Sequence, residues 1–333
     1  MNKSIIDVPV ALIFFNRPAQ FKKVFEIVSR VKPSKLFLIQ DGARLGNGND
    51  MKRIDECRQI VEAIDWECEV HKNYSTDNLG CGKRVYTGIT WAFEHVDRLI
   101  ILEDDCVPSM SFFPFCTELL EKYVDDPRVG MISGMNHLNS FDKIPYDYTF
   151  ARVGSIAGWA TWKRSWETIE YNFSFLEEEN TIRLLENFLK HNKISTKLLE
   201  NALKKKAKID NGEKLSSWSY QRGFNDYLHS ALIIVPKFNL MTNIGLTEDS
   251  VHSVNDIRKV PIGLRKIYKL ELFEMNTPLK HPKYIIEDYE YNKLVNKIMK
   301  PKGLIKYTRR IESIVYRLVL GDGLIMLKKL FRR

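Results

Sequence analysis

Leu99-Ile100-Ile101-Leu102-Glu103-Asp104-Asp105-Cys106 is the stretch on which the fold turns. Four apolar residues in a row predict a strand buried on both faces, as in a parallel sheet covered by helices. Three carboxylates then stand at its C-terminal end, the edge where open α/β sheets bind their ligands. Like charges gathered there repel one another. A hard divalent cation carrying diphosphate oxygens would relieve that repulsion. The competing reading is a solvated acidic turn that caps the next helix.

Strand and helix alternate on both sides of this stretch. Val10 to Phe15 reads as a buried strand, and Pro18 opens a helix with Phe21, Val24, Phe25 and Val28 on one face. Leu36 to Ile39 is a second strand, ended by Asp41-Gly42. Residues 50 to 64 form a helix with Ile54, Cys57, Val61 and Ile64 on one side. Glu69 to Lys72 is a weaker third strand. A helix marked by Val85, Ile89, Ala92, Phe93 and Val96 leads into the acidic strand, and another after Ser111 leads to the strand Val129 to Ser133. This order predicts an α/β fold: a mostly parallel sheet with right-handed crossovers and helices on both faces.

The second half is less regular. It holds the aromatic stretch Gly158-Trp159-Ala160-Thr161-Trp162-Lys163-Arg164-Ser165-Trp166. Helices are expected at about 180–192 and 194–207, the latter ending in Lys204-Lys205-Lys206, which reads as a solvated face. Ala231 to Val235 is a further strand closed by Pro236. One globular domain over 1–280 with a helical extension over 281–333 is the simplest division.

Composition narrows the class. At 333 residues, with 44% hydrophobic and 11% aromatic content, the chain suits a full core and not a disordered segment. Five cysteines without a Cys-x-x-Cys pair argue for free thiols in a reducing compartment. No signal peptide and no spanning helix are expected from the apolar runs, which are too short. Of the net charge of +9, seven charges fall between Lys302 and Arg333, where nine Lys/Arg face two Asp/Glu. The globular body therefore needs no nucleic acid partner. In the tail, Ile311, Ile314, Val315 and Leu318 share one helical face while Lys306, Arg309, Arg310 and Arg317 occupy another. A second short helix, Leu324 to Phe331, follows the Gly321-Asp322-Gly323 break. Such a basic amphipathic pair suits the surface of an anionic membrane, lying on it without crossing it.

Loops after successive parallel strands converge on one crevice. Here they carry Phe15-Asn16-Arg17-Pro18, Asp41-Gly42, Asn78-Leu79-Gly80-Cys81-Gly82-Lys83 and the three acids. The set suits a nucleoside diphosphate. Asn16, Arg17 and Asp41 offer hydrogen bonds to base or ribose, and Gly80 and Gly82 let backbone approach an anion at a helix start. Lys83 and Arg84 neutralise phosphate. A P-loop, a dinucleotide Gly-x-Gly-x-x-Gly, His-Glu-x-x-His and Gly-x-Ser-x-Gly are all absent from the sequence, which removes support from four common enzyme classes.

These residues resemble the GT-A glycosyltransferases, whose fold is Rossmann-like. Asn78-Leu79-Gly80, the Glu103-Asp104-Asp105 strand end, Ser111-Phe112-Phe113 and Gly158-Trp159-Ala160-Thr161-Trp162 are similar to family 2-like bacterial enzymes of surface-polysaccharide synthesis. They are distantly similar to the N-acetylglucosaminyltransferase I group. The resemblance spans residues 8 to 253. It implies a nucleotide-sugar donor (a UDP-sugar favoured), a Mn²⁺ or Mg²⁺ ion held by Asp105, and Glu103 and Asp104 facing the donor. It also implies a glycan or lipid-linked acceptor, with Trp159 and Trp218 as candidates for binding the substrate. The resemblance further implies Trp-Asp-Tyr-Gln where this chain has Trp218-Ser219-Tyr220-Gln221, and a serine cannot act as a carboxylate base. Asp226, Glu248 and Asp249 remain candidates for that base in an inverting transfer, and His252 for the metal or diphosphate. The expectation is thus a peripheral enzyme on the cytoplasmic face of the plasma membrane. A nucleotidyltransferase and a non-catalytic nucleotide-sugar or glycan-binding protein stand as alternatives.

Overall fold

The computed structural model describes residues 6–192, 194–246, 257–301 and 303–319. In chain order, β1 (Val10–Phe14), α1 (Pro18–Val31), β2 (Lys35–Gln40), α2 (Gly48–Val61), β3 (Glu69–Tyr74), α3 (Cys81–Ala92) and β4 (Arg98–Glu103) alternate as expected. β5 (Cys106–Pro108), α4 (Phe112–Lys122), β6 (Val129–Ser133), β7 (Tyr148–Ala151) and β8 (Trp159–Trp162) follow. Next come α5 (Lys163–Trp166), α6 (Glu179–His191), α7 (Lys197–Asp210), α8 (Ser219–Leu228), β9 (Leu232–Pro236) and β10 (Met241–Asn243). The last elements are α9 (Ile262–Arg265), α10 (Tyr289–Met299) and α11 (Gly303–Val319).

Eight strands form one mixed, mostly parallel sheet in the order β3-β2-β1-β4-β8-β6-β9-β7. β1 pairs in parallel with both β2 and β4, so the strand order reverses between β1 and β4. That reversal opens a crevice at the C-terminal ends of these two strands. The register sets Ile13 opposite Glu103, which brings the residues after β1 beside the acids after β4. β8 enters antiparallel between β4 and β6, and β7 is an antiparallel edge on β9. Residues 159–162, within the aromatic stretch, are thus an interior strand. β5 and β10 form a separate antiparallel ribbon just beyond β4.

The period-two pleat divides the core. Val10, Leu12 and Phe14 of β1 join Phe21, Val24 and Val28 of α1 and the apolar face of α4 on one side of the sheet. Ala11 and Ile13 join Val85 and Ile89 of α3, together with Trp159, Trp166 and Trp218, on the other. Each such large side chain contributes about 1.5–3 kcal/mol on leaving water. A Cβ on Gly88 would collide with Ile39, so only glycine lets α3 lie this close to β2. A third cluster, centred on Leu185, Leu189, Leu199 and Phe224, unites α6, α7 and α8.

In the extension, α11 packs part of its circumference on the segment before α10. The Arg265 guanidinium stands 5.0 Å over the Tyr316 ring, and Ile262 N donates to Glu312 at 3.2 Å. Leu304 and Ile311 on another face stay 78% and 61% exposed. Among the described residues no helix is long and apolar enough to cross a membrane. The second tail helix lies outside the described residues.

Candidate functional site at the β1–β4 crevice

Arg17 organises the acidic strand end. β1 delivers it to the crevice, and Pro18 starts α1 immediately after it, so its backbone is pinned between two elements. The guanidinium donates from Nε to Asp104 Oδ2 at 3.2 Å, from Nη2 to Asp104 Oδ1, and from Nη1 to Asp105 Oδ2 at 3.0 Å. Burial opposes its charge, but the two carboxylates outweigh burial and hold its pKa above the usual arginine value. The Phe15 amide adds a further hydrogen bond to Asp104 at 3.3 Å.

The three acids are not equivalent. Asp104 is buried, and burial pushes it up to about 6 against the opposing pull of Arg17. Asp105 is tied from the far side by Asn243 Nδ2 at 3.0 Å, and its carbonyl accepts from Ile244 N at 2.8 Å. A Cβ on Gly245 would strike the Asp105 carboxylate, so glycine there lets the segment after β10 reach it. Glu103 keeps a partial opening to solvent and, among the described residues, receives no hydrogen bond. Desolvation first, then repulsion from Asp105 and Asp104, drives it up to about 8. Burial and its acidic neighbours thus favour its protonated form, which can donate as well as accept.

Several expected ligand contacts are satisfied within the chain. Asp41 accepts from Gly42 N, Leu79 N, Gly80 N and Asn78 Nδ2 at 2.8–3.1 Å. Gly82 N donates to Leu215 O at 3.2 Å. The amides at Gly80 and Gly82, expected to cradle phosphate, already hold an internal anion and a carbonyl. The physical reason is the same: a helix start favours negative charge, and Asp41 supplies it. Arg84 is also corrected. It is buried and donates to Gln40 O at 3.1 Å and Asn73 Oδ1 at 2.8 Å, tying β2 to β3 instead of facing the crevice. Asn16 Nδ2 is spent on Asp50 at 2.7 Å, whose carboxylate the Arg44 guanidinium holds down to about 2. Lys83 stays exposed on the first turn of α3.

Trp159 and Trp218 do not line an open acceptor site. They are 1% and 2% exposed and stack on one another at 5.5 Å, because β8 turns Trp159 into the core beneath the crevice. Asp226 is likewise removed. It pairs with Arg222 at 2.9 Å near the start of β6, and Arg152, which also acts on it, follows the C-terminal end of antiparallel β7. That is the opposite edge of the sheet from the acids. Burial raises Asp226 to about 6, with Arg222 and Arg152 pulling it back. At the start of α8, Ser219 Oγ pairs with Ser217 Oγ at 2.7 Å. Glu248, Asp249 and His252 lie outside the described residues.

Whether these residues suit a divalent ion follows from the donor set. Glu103 and Asp105 offer hard oxygens, but the Arg17 guanidinium already lies between Asp104 and Asp105 as the neutralising cation. Among the described residues no three His, Cys, Asp or Glu side chains gather around a common point. The arrangement does not fit a metal as it stands. Sequence reasoning also overlooked two residues. Asn243 orients Asp105, and Lys214 donates to the Asn78 carbonyl. The first lay in plain view within Asn243-Ile244-Gly245, while nothing local marks the second.

No family model matches this chain, and no curated protein does. Among solved structures it is similar to UDP-glucose pyrophosphorylase complexed with UDP-glucose. The match has 9% identity and a TM-score of 0.34, and covers 70% of this chain and 91% of that one. A likeness at that level carries no functional argument.

Proposed function

We propose that the chain is a glycosyltransferase that moves a sugar from a nucleotide-diphosphate donor to a glycan or lipid-linked acceptor. One observation carries the reading: the Arg17 fork on Asp104 and Asp105 stands at the strand-order reversal between β1 and β4, beside an acid whose pKa is raised by burial and by its neighbours. The motif resemblance to the GT-A enzymes supports the same class. In this reading the donor lies across the crevice. Neutral Glu103 donates to a ribose or sugar oxygen, and the positive charges of Arg17 and Lys83 stabilise the departing diphosphate. The acceptor hydroxyl attacks the anomeric carbon, its proton passes to a carboxylate, and the bond to the diphosphate oxygen breaks. Glu248 and Asp249 are the candidates for that carboxylate, in an inverting transfer.

Calorimetric titration with UDP, GDP and CDP, with and without Mn²⁺, on the native chain and Asp105→Ala tests the donor site. Saturable binding of one nucleotide, weakened by Asp105→Ala, upholds it and names the base. Binding that ignores the variant overturns it. If Mn²⁺ is required, Arg17 must yield its place between the acids. A second reading, a nucleotide-sugar binding protein without transfer, is favoured by the Ser217–Ser219 pair where a base is expected. Release of UDP from a UDP-sugar in the presence of acceptor separates the two.

We further propose attachment to the anionic inner face of the plasma membrane through α11. Leu304, Tyr307, Ile311 and Val315 form an exposed apolar strip, and Lys306 and Arg310 flank it, while the helix's other side meets the body.

A further inference from the structure

The run Lys204-Lys205-Lys206 does not share one solvated face. Lys206 turns to Glu177 and Asp210, at 3.0 and 3.2 Å. Lys204, Lys205 and, one turn on, Lys208 instead line a cavity of about 460 Å³ between α7 and the segment entering α8. Lys214 joins the lining, and Asn201 and Tyr220 add an amide and a phenol. No carboxylate lines the cavity among the described residues. Glu213, outside the lining, pairs with Lys208 at 3.2 Å. The Lys205 ammonium stands 4.6 Å over the Tyr220 ring, and burial, with Lys208 adding, lowers its pKa.

Four ammonium groups gather around one cavity; Glu213 offsets Lys208 from outside it, and no carboxylate among the lining residues offsets the repulsion between Lys204, Lys205 and Lys214. The volume falls within the range of small-molecule sites and suits a diphosphate or a sugar phosphate. Position adds a second argument. Lys214 donates to Asn78 O, and Leu215 O accepts from Gly82 N, so the cavity backs directly onto the loop after β3 that walls the crevice.

We propose that this cavity binds the phosphate or diphosphate group of a second substrate, beside and separate from the β1–β4 crevice. Calling that ligand a second substrate rests on the glycosyltransferase reading; the anion site itself does not.

The test uses the full chain and four titrants: pyrophosphate, farnesyl diphosphate, glucose 1-phosphate and UDP. The Lys204→Ala/Lys205→Ala variant is expected to weaken pyrophosphate binding roughly tenfold or more, since each lost charge-assisted hydrogen bond is substantial. Lys206→Ala is expected to leave it unchanged, and Lys204→Arg/Lys205→Arg to retain it. Tighter binding of farnesyl diphosphate than of glucose 1-phosphate assigns a lipid-linked source, and the reverse order a soluble one. Either preference upholds the cavity only if it depends on Lys204 and Lys205. UDP binding that survives the alanine pair upholds two separate sites. If UDP, and GDP and CDP with it, fail on every protein while pyrophosphate binding needs the lysines, the crevice reading falls and the cavity stands. Absence of saturation by all three phosphates, or equal loss in Lys206→Ala, overturns the proposal.

Discussion

Replacing Glu103 by glutamine should make the protein more stable, and the gain should grow with pH. In the unfolded chain this glutamate titrates near 4.5, whereas in the fold desolvation and its acidic neighbours hold it up to about 8. Because the folded value lies above the unfolded one, the native state binds more protons between these two pH values. The contribution of Glu103 to stability is therefore greatest below about pH 4.5, falls as pH rises toward 8, and then levels. At about 1.4 kcal/mol per pH unit the full interval would amount to roughly 5 kcal/mol. The opening of Glu103 to solvent screens much of this, leaving on the order of 2 kcal/mol. Glutamine keeps the shape and a donor while removing the charge. For a chain of this length, 1 kcal/mol moves the melting temperature by roughly 2 °C. Glu103→Gln should thus melt about 4 °C higher than the native chain near pH 8.5, and with it near pH 4.5. Melts followed by circular dichroism at constant ionic strength check this. Parallel curves across the range, or a less stable variant at the alkaline end, would refute the reasoning.

Four further outcomes are expected. Asp41→Ala strips the anion from Leu79 N and Gly80 N and should cost about 3 kcal/mol, with protease cleavage appearing in the 78–80 loop, as a limited digest would reveal. Gly245→Ala should push Asp105 away from Arg17 and weaken nucleotide binding in calorimetry, with a loss of only about 1 kcal/mol of stability in a denaturant titration. Trp159→Ala should cost about 3–5 kcal/mol by the same titration, the signature of a core ring and not of a sugar platform. Ile311→Ser with Val315→Ser should cut co-sedimentation with phosphatidylglycerol vesicles by roughly tenfold. Undiminished sedimentation would end the membrane proposal.

The sheet was legible because its strands write a local signal. Val10–Phe14, Lys35–Gln40 and Arg98–Glu103 are short apolar runs between amphipathic helices, and a covered parallel strand leaves little other choice. The strands at 148–151 and 159–162 escaped notice because each is four residues long. Within them, tryptophan and threonine read equally well as loop or site. Residue types at the strand ends were found; their assignments were harder. Asp41, Arg84 and Trp159 carry ligand-like chemistry, yet Gly80, Gln40 and Trp218, which they meet, lie 39, 44 and 59 positions away in sequence, where no local pattern reports them.

The sequence by itself determined a helix-covered α/β sheet with acids at the end of β4, because hydrophobic periodicity and strand-end position are properties of contiguous residues. Only the tertiary structure decided which polar groups face one another. Asp41 closes the start of α3, Arg17 forks onto Asp104 and Asp105, and the lysine run divides between an ion-paired face and a cavity. Charges are satisfied by whatever partner the fold brings within about 3 Å, and that distance is set by packing between elements remote in the chain.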